Sequence, residues 1–158
     1  INGAAVTGGF ELALGCDLLV ASPTARFADT HGRVGVHPAW GLSQRLSRLI
    51  GIGRAKEMSL TGNFVDAATA ERWGLVNRVV DAAQLLPVCR ALATDMLSLE
   101  PDMLVSYKRV IDDGYALSFG EAMQLEARVA LEYNAAVSPA AVEARRRAVL
   151  DRGRQQNG

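Results

Sequence analysis

Two adjacent glycines followed by a carboxylate form the strongest chemical pattern in the sequence. Residues 6–14 read VTGGFELAL, so an apolar run leads into Gly8 and Gly9 and then into an apolar helix with Glu11 in its first turn. Glycine lets a backbone turn sharply and approach a ligand without a Cβ in the way. The first amides of a helix point outward, where the peptide dipoles favour negative charge. The pattern suits an N–H group that holds the oxygen of a polarised carbonyl or enolate beside a carboxylate that moves protons.

A purely structural interpretation of the same residues is also open. Gly8 and Gly9 would then only allow close packing, and Glu11 would only favour the helix dipole. A strand that runs through two glycines into a helix is a common arrangement, so the pattern alone does not decide between chemistry and packing.

The elements around this pattern predict a mixed α/β chain. Helices are predicted over 53–60 and 66–73, the second with Asp66 as its N-cap and Gly74 just beyond its end. Apolar runs bounded by turn residues are typical of strands. The strand candidates are residues 17–22, 25–28 and 75–80.

Long helices are predicted for the rest of the chain, after about residue 80. Their boundaries are marked by the start and stop signals that helices favour. In order these signals are a capping-box pattern at 81–84 opening a helix to about Leu99, Pro101 at a helix start, Gly114 at a helix end, a second capping box at 118–121, and Ser138–Pro139 before the last helix.

Composition excludes several classes of protein. The chain has 158 residues, of which 49% are hydrophobic and 22% charged, so it can bury a core and is neither disordered nor fibrous. The 17 lysines and arginines balance 17 acidic residues, which argues against a domain that mainly neutralises nucleic-acid phosphates or anionic lipid. No apolar run reaches the roughly 18 residues of a membrane span.

The cysteines and the first residues add two expectations. Cys16 and Cys89 form no C-x-x-C pair, so neither a disulfide framework nor a zinc site is expected. The expected location is a reducing cytoplasm. The chain opens at Ile1 without Met or a leader, and we interpret it as a piece of a longer protein. Taken alone it is expected to leave strand edges unpaired, and so to aggregate or to associate with the remainder.

Residues 2–17 resemble the signature of the crotonase superfamily, the enoyl-CoA hydratases and isomerases. Further blocks of resemblance follow in order at 25–29, 35–38, 41–46, 55–62 and 67–76. The resemblance extends over essentially the whole chain but matches only the later part of a crotonase. It implies an α/β fold with an incomplete crotonase-like ββα spiral core over 1–80 and a helical C-terminal trimerisation region over 81–158. It also implies a homotrimer or hexamer that acts on an acyl-CoA thioester, with coenzyme A as part of the substrate and no separate cofactor.

The resemblance also assigns roles to single residues. Gly8 matches an oxyanion-hole amide, and Glu11 matches the first of two catalytic glutamates. His31 stands where the family has its second catalytic glutamate, and the family's other oxyanion amide lies upstream of Ile1. The substrate pocket is expected to include Gly9, Pro38, Ala39 and Trp40. Trp40 would either narrow the acyl pocket or pack in the core.

Histidine at position 31 leaves two interpretations open. Imidazole is a base or acid that works easily near neutral pH, so Glu11 and His31 can form the acid/base pair. Alternatively His31 is a neutral wall of the pocket and Glu11 works alone. Asp29, two residues earlier, could orient the imidazole. A metal site from Asp29, His31 and His37 would need a further strong ligand and is not expected.

The function predicted from the resemblance is an enzyme that stabilises a thioester enolate, most simply an enoyl-CoA hydratase. The alternatives are an isomerase or another crotonase-type reaction with a non-standard acid/base pair, and a catalytically poor acyl-CoA-binding protein. Three arginines in the last helix, Arg145, Arg146 and Arg147, would either reach coenzyme A phosphates in a neighbouring subunit or form a solvated helix face.

Overall fold

Short strands alternate with helices through the first half of the chain. In the computed structural model, which describes residues 1–156, five strands and an initial set of helices precede residue 80. The strands are β1 (Ala4–Val6), β2 (Val20–Ala21), β3 (Arg26–Ala28), β4 (Val65–Asp66) and β5 (Arg78–Val79). The helices of this part are α1 (Gly8–Leu14), α2 (His31–Val34), α3 (Leu42–Ile50), α4 (Ile52–Thr61) and α5 (Ala67–Trp73).

Helices make up the remainder of the described chain. A 3₁₀ turn at Ala82–Gln84 leads into them. They are α6 (Leu85–Leu97), α7 (Pro101–Tyr115), α8 (Phe119–Asn134) and α9 (Pro139–Gln156). By its internal contacts the chain divides into two units, Ile1–Asp95 and a second that begins at Met96. Among the described residues, no helix combines the length and the apolar character that crossing a bilayer requires.

The first unit holds two small sheets. β3 lies in the middle of the larger one, parallel to β1 and antiparallel to β4, and the smaller sheet pairs β2 with β5 in parallel. Val6 pairs with Ala28, the last residues of β1 and β3. Because parallel strands end at the same edge, the residues that follow Val6 and Ala28 emerge side by side. That edge carries the candidate site.

The core of the first unit packs helices onto this sheet. Phe10 of α1 and Phe27 of β3 are fully buried, and their ring centroids lie 5.7 Å apart. Leu42, Leu46 and Ile50 are buried at four-residue spacing along α3, which therefore presents one apolar face to the core. Packing of this kind fixes α1 and α3 around the sheet edge.

Helix ends with strong local signals match their predictions. The Asp66 carboxylate accepts the amide of Thr69 at 2.7 Å, and Gly74 ends α5 with a φ of 76°. Both bonds of the Ser118–Glu121 capping box are present at the start of α8. Pro101 is the first residue of α7, as expected for a residue that lacks an amide proton.

Four boundary predictions are wrong, two for helices and two for strands. The Asp81 side chain caps no helix, because residues 82–84 form a 3₁₀ turn and α6 begins only at Leu85. Gly114 lies inside α7, which continues to Tyr115. The strands predicted at 17–22 and 75–80 are shorter in the structure. In each of these runs only two residues form strand pairs, and they do so in the second sheet.

The second unit exposes much of its apolar surface. None of the side chains of α7 or α8 is buried, and Phe119 and Leu131 are more than 75% exposed. Arg145, Arg146 and Arg147 are exposed on α9, which fits both interpretations of these arginines.

Candidate functional site

A strained turn directly after β1 begins the site. Thr7 has a φ of 51° and a ψ of −112°, and it is the only non-glycine residue with positive φ in the described chain. The sharp turn that the sequence suggested at the glycine pair therefore lies one residue earlier, on a β-branched side chain. The Thr7 amide donates to Ala28 O at 3.0 Å, which ties the turn to the end of β3.

Open space surrounds the glycine pair. A methyl group added at Gly9 would meet no heavy atom within 4 Å in the described structure, and one at Gly8 would meet only Cζ3 of Trp40, at 3.6 Å. Neither glycine has a positive φ. Within the described residues, close packing therefore does not account for the missing side chains. The Gly8 amide, at the first position of α1, has no partner within the helix.

Glu11 is held in one orientation by the start of α3. Its side chain is buried, and Oε1 accepts the amides of Trp40 at 2.8 Å and Leu42 at 3.4 Å. The N-cap residue of α3, Gly41, has no side chain to satisfy these amides. A carboxylate suits the positive end of a helix, so the sequentially distant Glu11 takes the capping role. Oε2 remains directed toward His31.

His31 lies between two carboxylates. Its Nδ1 is 2.7 Å from Asp29 Oδ1, and its Nε2 is 3.5 Å from Glu11 Oε2. All three side chains are at least nine-tenths buried. Asp29 Oδ1 also accepts the backbone amide of His31 at 3.1 Å, which fixes the carboxylate against the start of α2. A proton on Nδ1 satisfies Asp29, and Nε2 is then an acceptor that faces Glu11.

The charges of this cluster do not cancel. With a protonated imidazole, Glu11, His31 and Asp29 carry one net negative charge, and with a neutral imidazole they carry two. Buried charges are stable only when paired and hydrogen-bonded, and here each carboxylate has both a backbone amide and the imidazole as partners. Such a cluster can pass a proton between two groups without exposing either to bulk water.

Trp40 borders the same site from a loop before α3. Its ring edge lies beside Gly8, and the residue is 64% exposed, so it does not pack in the core of the described chain. Pro38 is half-buried and Ala39 exposed in this loop. Their assignment to a substrate pocket, with that of Gly9, stays a prediction.

Two features of the site escaped sequence reasoning. Thr30 bonds through its hydroxyl to the hydroxyl of Thr7, and the amides of Trp40 and Leu42 hold Glu11. The only sequence signal for the bond between Thr7 and Thr30 is that a threonine precedes each of the helices α1 and α2. In the described part of the chain, no group of three side chains of the metal-binding types is arranged to hold a metal ion.

Comparison with known proteins gives consistent matches. The family model described as "Enoyl-CoA hydratase/isomerase" matches residues 1–146. The Arabidopsis thaliana protein named probable enoyl-CoA hydratase 1, peroxisomal, is 48% identical over 133 residues, which are 84% of this chain and 50% of that protein. The crystal structure of an enoyl-CoA hydratase subunit from Geobacillus kaustophilus superposes with a TM-score of 0.80 at 39% identity, covering 85% of this chain and 52% of that one.

A third match is a crystal structure with a bound ligand. The Thermobifida fusca protein crystallised in complex with acetoacetyl-CoA superposes with a TM-score of 0.80 at 30% identity and covers 85% of this chain and 53% of that one. The chain thus spans about half the length of the curated relatives it matches. These neighbours have the crotonase fold that the resemblance predicted, of which this chain forms a part, with a helical C-terminal region.

Proposed function

The chain belongs to the enoyl-CoA hydratase/isomerase family, and on that premise we propose that the protein hydrates 2-enoyl-CoA thioesters. The single observation that carries the proposal is the buried contact of 3.5 Å between His31 Nε2 and Oε2 of Glu11, in the helix that begins at Gly8. An acid/base pair and an oxyanion donor are what addition of water to a conjugated thioester needs.

The Gly8 amide is proposed to bind the thioester oxygen. As the enoyl group accepts a nucleophile at Cβ, negative charge develops on that oxygen as an enolate. A preorganised donor aimed at developing charge is worth about 10²- to 10³-fold in rate. The open space over Gly8 and Gly9 supports this placement.

The Glu11–His31 pair is proposed to move the two protons of the reaction. The pair starts with a neutral imidazole and a protonated Glu11 carboxyl group. Water loses one proton to His31 Nε2 as its oxygen bonds to Cβ, and the Glu11 carboxyl group gives its proton to Cα and becomes a carboxylate. A single water can contact both groups, because atoms 3.5 Å apart can each reach it at about 2.8 Å. Afterwards the proton on Nε2 passes across the same contact to Glu11, which resets the pair. Asp29 holds the imidazole in the tautomer that this cycle requires.

The proposal is tested by following the loss of the conjugated enoyl absorbance of crotonyl-CoA with the full-length protein. Glu11→Gln keeps an oxygen for the amides of Trp40 and Leu42 but removes the proton carrier. We expect kcat to fall by about 10²- to 10⁴-fold with little change in thermal stability. Glu57→Gln, at an exposed position on α4, is the matched control and is expected to leave kcat unchanged.

Three results would replace this proposal. Turnover that is equal in Glu11→Gln and wild type would remove Glu11 from the chemistry. Isomerisation of 3-enoyl-CoA without hydration would favour the second candidate function. Tight binding of acyl-CoA with no turnover of any thioester would indicate a binding protein.

A double-bond isomerase is the second candidate, favoured by the replacement of one family glutamate with His31. Isomerisation moves one proton between Cα and Cγ of the acyl chain, in either direction, and needs no water. The directly contacting Glu11–His31 pair is suited to this because it can take and return one proton.

The partners and the compartment are proposed from other observations. An acyl-CoA ligand is supported by the acetoacetyl-CoA in the crystal structure of the Thermobifida fusca relative. Association into a trimer or hexamer is supported by the exposed apolar side chains of α7 and α8, and light scattering of the full-length protein tests it.

A reducing compartment such as the cytoplasm is supported by the two free, exposed cysteines, Cys16 and Cys89. The Arabidopsis relative, in contrast, is named as peroxisomal.

A further inference from the structure

Two threonines that stand at helix starts bond to each other instead of capping their own helices. Thr7 is the N-cap residue of α1, and Thr30 is the N-cap residue of α2. A threonine at this position ordinarily accepts an amide from the first turn of its helix. Neither side chain makes such a bond here, and the two hydroxyl oxygens are hydrogen-bonded to one another. The pair therefore links the starts of two helices, through residues that are 23 positions apart in the chain.

Thr7 occupies its place at a conformational cost. A φ of 51° with a ψ of −112° is disfavoured for a β-branched residue and readily adopted by glycine. The surroundings hold Thr7 there through its amide bond to Ala28 and its hydroxyl bond to Thr30. Strained residues that are held in this way cluster at functional sites. Since glycine would relieve the strain, the hydroxyl is the property that distinguishes threonine at this position.

The linked helices carry the groups of the site. Gly8 follows Thr7, and His31 follows Thr30. A change in the separation of the two hydroxyls would move the Gly8 amide relative to the imidazole. We propose that the Thr7–Thr30 pair is a positioning clamp that fixes the oxyanion amide against the acid/base pair. This inference rests on the proposed function, because it assumes that both groups act on one thioester.

The decisive variant is Thr7→Gly, which relieves the strain and removes the hydroxyl together. We expect its melting temperature to equal or exceed that of the wild type, while kcat falls about 10- to 100-fold and KM changes less than about threefold. Thr7→Ser keeps the hydroxyl and is expected to retain most of kcat. A merely structural role predicts that stability and activity change in the same direction.

A second pair of variants tests the partner. Thr30→Val replaces the hydroxyl with a methyl group of similar size and is expected to reduce kcat as Thr7→Gly does. The double variant should lose no more than either single one, since both remove the same bond. Thr24→Val is the matched control, because it removes a similar hydroxyl pair with Ser22 in the turn between β2 and β3. It should leave kcat unchanged.

The Raman frequency of the thioester carbonyl in bound crotonyl-CoA separates this proposal from the one it rests on. In the wild type the amide of Gly8 should lower that frequency, and Thr7→Gly should reduce the shift. Wild-type kcat and an unreduced shift in Thr7→Gly would overturn the clamp alone. The clamp would also be overturned if Thr7→Gly lost stability and activity together and Thr7→Ser showed the same two losses. A wild type with neither turnover nor a shift would refute the proposed function and the clamp with it.

Discussion

The main-chain amide of Trp40 donates to Glu11 Oε1 at 2.8 Å, and the indole ring of the same residue borders Gly8. Trp40 therefore touches the site twice, and the two contacts can be separated. Its backbone orients the carboxylate whatever the side chain is. Its ring occupies space next to the place proposed for the thioester.

Trp40→Leu is expected to change substrate preference more than chemistry. The smaller side chain leaves Glu11 anchored but opens the space beside Gly8. We expect kcat with crotonyl-CoA to change less than about threefold, whereas kcat/KM for a medium-chain 2-enoyl-CoA rises about tenfold relative to crotonyl-CoA. Steady-state kinetics with both thioesters measures the ratio. An unchanged ratio would show that the ring does not face the acyl group, and Phe64→Leu controls for loss of another exposed aromatic ring.

Asp29→Asn is expected to disable His31 without removing it. The new amide can donate to Nδ1, which would shift the imidazole proton to Nε2 and leave no acceptor facing Glu11. We expect kcat to fall about 10- to 100-fold or more with a small change in melting temperature. Nitrogen NMR of the imidazole reports the tautomer directly. Unaltered kcat in a protein with a demonstrably reversed tautomer would make His31 a wall of the pocket.

His31→Glu restores the family's two glutamates but is expected to destabilise the protein. A glutamate at this position would stand with Glu11 and Asp29 in one buried cluster and remove the imidazole that both carboxylates contact. Loss of a buried partner of this kind costs about 3–5 kcal/mol. Adding Asp29→Ala should recover at least half of that loss. Urea denaturation of both variants checks this, and equal stability of His31→Glu and wild type would contradict it.

Local sequence signals predicted some of the helix ends, such as the starts of α5 and α8, and a non-local contact explains why α3 was missed. Asp66 and Ser118 cap the helices that follow them, so a short window of sequence contains both partners. The start of α3 offers only Gly41, and its cap is supplied by Glu11 from about 30 residues earlier. No local pattern contains such a pair, which is why α3 was not predicted.

In the site, too, local sequence predicts some features and contacts between distant residues determine others. Glu11 in the first turn of α1 follows from the order of the residues around the glycines. The contact of Asp29 with His31 depends on the chain turning into α2 rather than continuing as a strand, which spacing alone does not decide. The meeting of His31 with Glu11 depends on the parallel pairing of β1 with β3.

Gly9→Ala is expected to stabilise the protein and weaken substrate binding. Gly9 lies inside α1 with an ordinary φ, so alanine should add about 0.5–1 kcal/mol to the free energy of unfolding. The added methyl group meets no atom of the other described residues within 4 Å and would project into the space proposed for the thioester. Thermal denaturation and titration with acetoacetyl-CoA measure the two effects. Unweakened binding in a stabilised variant would show that no ligand approaches this side of the bend.

Glu100 is expected to make the helices of the second unit sensitive to acid. Its Oε2 accepts the amide of Met103 and the hydroxyl of Tyr133, each at 2.8 Å. These bonds, that of Met103 above all, lower the pKa of Glu100 below its ordinary value of 4.5, and the same carboxylate raises the pKa of Tyr133.

The sign of the effect follows from this direction. Above about pH 5 Glu100 is charged in both the folded and the unfolded chain, and its contribution to stability is complete. As the pH falls below 4.5 the unfolded chain binds the proton first, so the contribution shrinks and is lost once the folded state also binds it. Urea unfolding of wild type and Glu100→Gln should therefore differ most near neutral pH and converge in acid. Glu126→Gln is the control, because it removes the same charge from an exposed position on α8. If the stability difference between wild type and Glu100→Gln persists undiminished to about pH 3, the titration of Glu100 is not its cause.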